Sequence, residues 1–262
     1  MPYTLAHPIT AIVLKRLAPK SLCFTGLVMG SMAPDFEYFI KMVPIQTIGH
    51  SFLGLLVLVI PLSIILSFLF HYLIKKNLAL HLPSPLNQAA SVLAQKEWRL
   101  DGARGWGIFL LSVVLGFLSH LFLDSLTDSS LYLSMPFIQG QVTSSIRWSF
   151  TIFMQYILSI IFLSIELIIL IRIVLRTKKN SLEIPYVATK NKIVYWSIVL
   201  FSIVMATFIK VWSVYSTHTE DLLKELLGHA VEILMVAPFS GMAVGIVIAS
   251  IVSIKPISTK CT

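Results

Sequence analysis

Charge is what this sequence has least of. Only 12% of its 262 residues are Asp, Glu, Lys or Arg, where a soluble domain carries roughly 25%. A chain so poor in charge is not an ordinary water-soluble globule. Cysteine is nearly as scarce: Cys23 and Cys261 are the only two and lie far apart. That excludes a disulfide framework and a thiolate metal site, so any metal here takes nitrogen and oxygen ligands. A positively charged leader with a cleavage pattern is missing too, since the first basic residue is Lys15, and no secretory signal is expected. There is no internal repeat and no low-complexity tail. The net charge of +8 does not imply nucleic acid. Its basic residues border hydrophobic runs, where topology signals and anionic lipid account for them.

What is there is apolar length. Hydrophobic residues make up 56% of the chain. Five runs, roughly 51–73, 106–125, 151–174, 193–213 and 230–254, reach the ~20 residues a spanning helix needs. The expected fold is all-α: a polytopic helical bundle forming one integral membrane domain over residues 1–262. Residues 1–48 are expected as short N-terminal helices lying in the membrane interface or folded over the bundle. Within them, residues 4–16 read as an amphipathic helix with His7 near its start. Residues 21–33 are apolar but too short to span, and Pro34 directs Asp35 into a turn or a helix cap. Residues 49–130 carry the polar motifs, and 151–254 supply three further spans. Residues 74–105 and 175–192 read as polar loops. Counting from the first span, thirteen of the 20 Lys and Arg fall on the side of those two loops. The other seven include Lys15, Arg16 and Lys20. The positive-inside rule then makes the loop side cytoplasmic, in a multi-pass protein of the cell membrane.

The polar residues within this apolar frame gather on the other, extracytoplasmic face. His120 and Asp124 are four apart, so a helix projects both from one side, and Thr127 returns to it. His50 opens the first span on that face, and His7 and Asp35 precede it. Taken singly, each has a plain structural explanation: a cap, a turn, an interfacial histidine, a His–Asp hydrogen bond. Jointly, three imidazoles and two carboxylates are enough for one or two divalent metals, with zinc expected. Zinc would lower the pKa of a water to about 7 and polarise an acyl or phosphoryl oxygen. His71 and His81 fall on the opposite face as interfacial or loop residues. Glu166, about 22 Å down its span by helical rise, reads as a structural carboxylate. His229 and Glu232, three apart at the start of the fifth span, are candidates to support the metal ligands, as are Ser51, Thr127 and Asp128.

Four motifs, in order, carry a family resemblance: Thr4-Leu5-Ala6-His7-Pro8, Gly30-Ser31-Met32-Ala33-Pro34-Asp35-Phe36-Glu37-Tyr38, Gly49-His50-Ser51, and Ser119-His120-Leu121-Phe122-Leu123-Asp124-Ser125-Leu126-Thr127. They resemble the bacterial membrane family catalogued as domain of unknown function 4184. They are also similar to the membrane-bound metal-dependent hydrolases, a group thought related to zinc-dependent phospholipase C and the P1-type nucleases. All lie in the first 140 residues or so. The resemblance implies that His7, Asp35, His50, His120 and Asp124 are metal ligands or their close partners; it brings no established reaction. A family member is expected to follow the threonine with a histidine. This chain has Asp128 there, which changes charge and reach. The leading expectation is a membrane-embedded, metal-dependent hydrolase of an ester or phosphodiester, with a lipid as substrate. The alternatives are a non-catalytic protein stapled by a metal or His–Asp cluster, and a small transporter component centred on Glu166.

Overall fold

The computed structural model describes residues 4–43, 47–84, 86–127, 144–177, 187–217, 226 and 228–253. They are helical, with no strand among them. After a 3-10 turn at Thr4–Ala6, the chain forms α1 (Pro8–Leu17), α2 (Phe24–Met32), a second 3-10 turn (Ala33–Asp35) and α3 (Phe36–Lys41). Then come α4 (Phe52–His81), α5 (Leu86–Ala94), α6 (Gly102–Thr127), α7 (Ser144–Arg176), α8 (Thr189–Thr217) and α9 (Glu232–Val252). Five of these, α4 and α6 to α9, contain segments long and apolar enough to cross a membrane.

The spans fall where the apolar runs predict them, with one extension. The first was expected to end near residue 73, but α4 continues to His81. Lys75 and Lys76 do not stop it: Lys76 is exposed, and the Lys75 amine reaches out to the Lys96 carbonyl at 2.6 Å. The α4 ladder widens into π-helical turns at Leu55–Val59 and Leu69–Ile74, and α9 begins with another at Glu232–Val236.

The chain divides into two compact units, each built from three stretches. The second unit takes residues 36–46, 68–98 and 174–262. Its centre is α8 against α9, where Gly241 and Gly245 let the backbones meet. A Cβ on Gly241 would stand 2.6 Å from the Ser202 carbonyl oxygen. The end of α4 docks onto α8: the Trp196 indole and the Lys192 ammonium donate to the carbonyls of His81 and Leu82, each at 2.9 Å. These bonds satisfy acceptors a helix end leaves open. His81 is buried there with its ring stacked on Tyr195 at 4.5 Å, and His71 stacks on Trp98 at 4.5 Å.

The first unit takes residues 1–35, 47–67 and 99–173. Of the two placements expected for the N-terminal helices, in the interface or folded over the bundle, packing against the bundle is the one that α1 and α2 take: they stand alongside α6. Gly26 and Gly30 of α2 press on the backbone of α6 at Phe109 and Val113, and Gly116 of α6 presses back on Leu27. The Cys23 N–H donates to Ser112 Oγ at 2.7 Å, and the Ser31 carbonyl accepts from His120 at 2.7 Å. Residues rise together in the two helices, so α2 runs parallel to α6. Along α1 the order reverses, with His7 beside Asp124 and Thr10 bonded to Ser119 at 2.9 Å. Ala11, Leu22 and Leu27 close the space between them against Leu115. The pair α1–α2 is therefore an antiparallel hairpin packed lengthwise on α6. Two helices of 10 and 9 residues are each too short to span alone, and folding back is how they bury their apolar faces.

Candidate metal centre

Three segments of the first unit bring five polar side chains to one point. His7 stands at the N-terminus of α1, Asp35 closes the turn after α2, His50 precedes α4, and His120 and Asp124 lie one turn apart on α6. Ser51 caps α4: its hydroxyl accepts from the Gly54 N–H at 2.9 Å and donates to the Ile48 carbonyl at 2.7 Å, which fixes the backbone next to His50. Proline at the second position of α2's closing turn directs the chain to present Asp35 inward.

The central separations are short. His50 Nε2 lies 2.8 Å from His120 Nε2 and 3.2 Å from Asp124 Oδ2. His120 Nε2 is 3.4 Å from Asp124 Oδ2 and 3.6 Å from Asp35 Oδ1, and His50 Nε2 is 3.9 Å from Asp35 Oδ1. Four ligands held tetrahedrally at zinc–nitrogen and zinc–oxygen bond lengths stand about 3.3 Å apart, inside this range. His7 approaches from the other side, its Nε2 3.3 Å from Asp124 Oδ1 and its ring stacked on His120 at 4.1 Å. His7, Asp35 and His120 are fully buried, whereas the His50 and Asp124 side chains keep 20% and 17% exposure. The centre therefore opens on the His50–Asp124 side.

Proton bookkeeping tests whether a cation fits. The Ser31 carbonyl can only accept, so His120 Nδ1 carries the hydrogen in their bond. In neutral His120 the lone pair then sits on Nε2, aimed at two carboxylate oxygens. Asp35 Oδ2 is held by the Thr4 hydroxyl at 2.8 Å, yet Asp35 Oδ1 is buried and accepts no hydrogen bond. Lone pairs facing one another in a buried place repel unless positive charge stands among them. A proton on His120 Nε2 or a divalent cation supplies such charge, and a donor set of imidazole and carboxylate is one that zinc accepts. The carbonyl behind His120 and the hydroxyl behind Asp35 stand where outer partners of metal ligands would stand.

The remaining candidates fall as follows. The Thr127 side chain and Asp128 lie outside the described residues. His229 and Glu232 belong to the second unit, where the Lys210 ammonium pairs with Glu232 and His229 Nδ1 stands 3.1 Å from it. Glu166, in α7, belongs to the same unit as the cluster, and its Oε1 is buried with no hydrogen-bond partner among the described residues. Thr4 and Ser31 stand in the four motifs, but neither is read there as a partner of the site. A backbone oxygen has no sequence signature at all, and Thr4 gains meaning only once the chain turns back at Asp35.

Fold and cluster together define a class: helical, multi-pass membrane proteins with a buried histidine–aspartate centre. Within that class, the chain belongs to the family described as a domain of unknown function, DUF4184, whose model matches residues 1–251. The match takes in the last three spans as well as the motif-bearing first half. Comparison with curated proteins and with solved structures yields no match.

Proposed function

We propose that this protein is a membrane-embedded, metal-dependent hydrolase, holding one divalent cation, zinc, between Asp35, His50, His120 and Asp124. The observation that carries the reading is the buried Asp35 Oδ1, which accepts no hydrogen bond and faces Nε2 of a His120 ring that the Ser31 carbonyl fixes in place. Bound there, zinc supplies Lewis acidity, acidifying water and polarising an acyl or phosphoryl oxygen. The chain's own part is to orient and exclude. The Ser31 carbonyl and the Thr4 hydroxyl aim His120 and Asp35, the stacked His7 ring closes the buried side, and the exposed edges of His50 and Asp124 admit substrate.

Position favours an amphipathic ester or phosphodiester. His120 lies seven residues, about 10 Å of helical rise, from the Thr127 end of α6. That is the depth of lipid headgroup and glycerol linkages. The flanking side chains are apolar and outward-facing, Phe52 at 75% and Phe122 at 61% exposure, a rim suited to acyl chains. The charge balance assigns this end to the extracytoplasmic side of the cell membrane.

A second reading is supported by the bonds themselves. Thr4–Asp35, His7–Asp124, Thr10–Ser119 and Ser31–His120 staple the hairpin to itself and to α6, and a metal in that staple need do no chemistry. Elemental analysis of detergent-purified protein, followed by turnover on phospholipid and phosphodiester substrates, separates the two. Stoichiometric zinc with hydrolysis that a chelator abolishes is the expected result. Stoichiometric metal with no turnover on any ester leaves the staple, and protein without metal ends both metal readings.

A further inference from the structure

The α1–α2 hairpin carries a basic tip, and its surroundings say where that tip lies. From Thr10, bonded to Ser119, α1 descends seven residues to Leu17, about 10 Å of helical rise away from the cluster. From the other side, Gly26 packs on Phe109 and Ser112 of α6, and the Cys23 N–H is bonded to Ser112, from which level the chain enters the turn. Both arms bring residues 18–21 to about the level of Ser112, within roughly three turns, about 15 Å, of the Gly102 end of α6. Arg104 and Trp106, of the kinds that mark a headgroup layer, stand in those turns. Lys15, Arg16 and Lys20 sit at the tip. The Lys15 ammonium donates to the carbonyls of Pro19 and Leu22, at 2.6 and 2.5 Å, closing acceptors that hydrocarbon would leave open. Arg16 and Lys20 are exposed.

The distribution of charge along the segment fits the same picture. Residues 1–14 hold no Asp, Glu, Lys or Arg, and neither do residues 21–34. All the charge of the first 34 residues is the basic group between them. Two uncharged arms can enter a bilayer; a cationic turn between them resists crossing to the outer side.

We infer that residues 4–35 form a re-entrant hairpin that enters and leaves the membrane on the cluster's face, and that Arg16 and Lys20 at its tip bind the anionic phosphate headgroups of the opposite leaflet. Lys15, Arg16 and Lys20 then belong to the cytoplasmic side. Sixteen of the 20 Lys and Arg fall there instead of thirteen, and the orientation drawn from the charge balance becomes steeper. Two arms shorter than the roughly 30 Å hydrocarbon layer complete the crossing because lysine and arginine extend their heads toward the interface. The inference is independent of any metal at the cluster.

The test is accessibility followed by lipid preference. In a Cys23→Ser, Cys261→Ser background, Ser21→Cys and Thr47→Cys are treated with a membrane-impermeant maleimide in intact cells and in inverted vesicles. Ser21→Cys is expected to react only in inverted vesicles and Thr47→Cys only in cells. Reaction of both from one face, or protection of Ser21→Cys from both, overturns the hairpin. Reconstituted full-length protein is then probed with spin-labelled phosphatidylglycerol and phosphatidylcholine. Wild type is expected to hold the anionic lipid preferentially. Arg16→Gln and Lys20→Gln, both exposed, should each lower that preference about five-fold with folding intact. A preference unchanged in the double variant overturns the headgroup contact.

Discussion

His120 and Asp124 illustrate how a residue's meaning depends on what stands behind it. Spacing on α6 brought them to one face, but the Ser31 carbonyl decides which nitrogen of His120 is available. If the cluster binds zinc through these atoms, His120→Ala and Asp124→Ala should each lower bound metal by more than the 10–100-fold that loss of an outer partner costs. Thr4→Val, which removes only the hydroxyl holding Asp35 Oδ2, should fall within that 10–100-fold range. Glu166→Gln keeps the side chain's size and should leave metal content unchanged. Elemental analysis across the four variants checks the ordering. Full metal retention by Asp124→Ala would mean that its carboxylate is not a ligand. Motifs made these side chains legible in the sequence, whereas their outer partners were not, because a carbonyl belongs to every residue alike.

At the scale of elements, the telling feature is the hairpin. A length criterion rejects α1 and α2 as spans, rightly for each alone, and leaves open whether they lie in the interface or fold over the bundle. The signal that decides between them is the pair Gly26 and Gly30, four apart on an apolar helix, with Gly116 opposite. Such spacing lets helix backbones approach closely within a membrane. Those glycines are occupied by neighbouring backbone: a Cβ on Gly26 would lie 2.8 Å from the Phe109 carbonyl oxygen, and one on Gly116 would overlap the Leu27 carbonyl. Gly116→Val should therefore separate α2 from α6 and destabilise the protein by about 1–3 kcal/mol or more. Because α2 carries the carbonyl behind His120, metal content should drop along with the thermal midpoint in detergent. A variant of wild-type stability would refute the close packing. The extension of α4 past Lys75 was hidden for a related reason, since charge at a helix end looks like a terminus until the side chains are seen to reach away.

For the whole molecule, the five spans were legible because apolar length is additive along the chain and needs no knowledge of tertiary contacts. The two compact units were not legible, since each gathers three separated stretches and their boundaries cut through α4 and α7. Topology follows from the same counting of charge. Gln88, in the α5 segment between the first two spans, should be labelled from the cytoplasm only when replaced by cysteine in the cysteine-free background. Labelling from outside would invert the orientation and place the cluster on the inner face, leaving its chemistry untouched.

The bond between His7 and Asp124 joins residues 117 positions apart. At a synthesis rate of 5–20 residues per second, the ribosome delivers the second partner roughly 6–23 s after the first. Throughout that interval the nascent hairpin holds an imidazole and a carboxylate with no α6 to receive them. The order of birth thus dates the closure of the polar centre to the emergence of a single helix, α6.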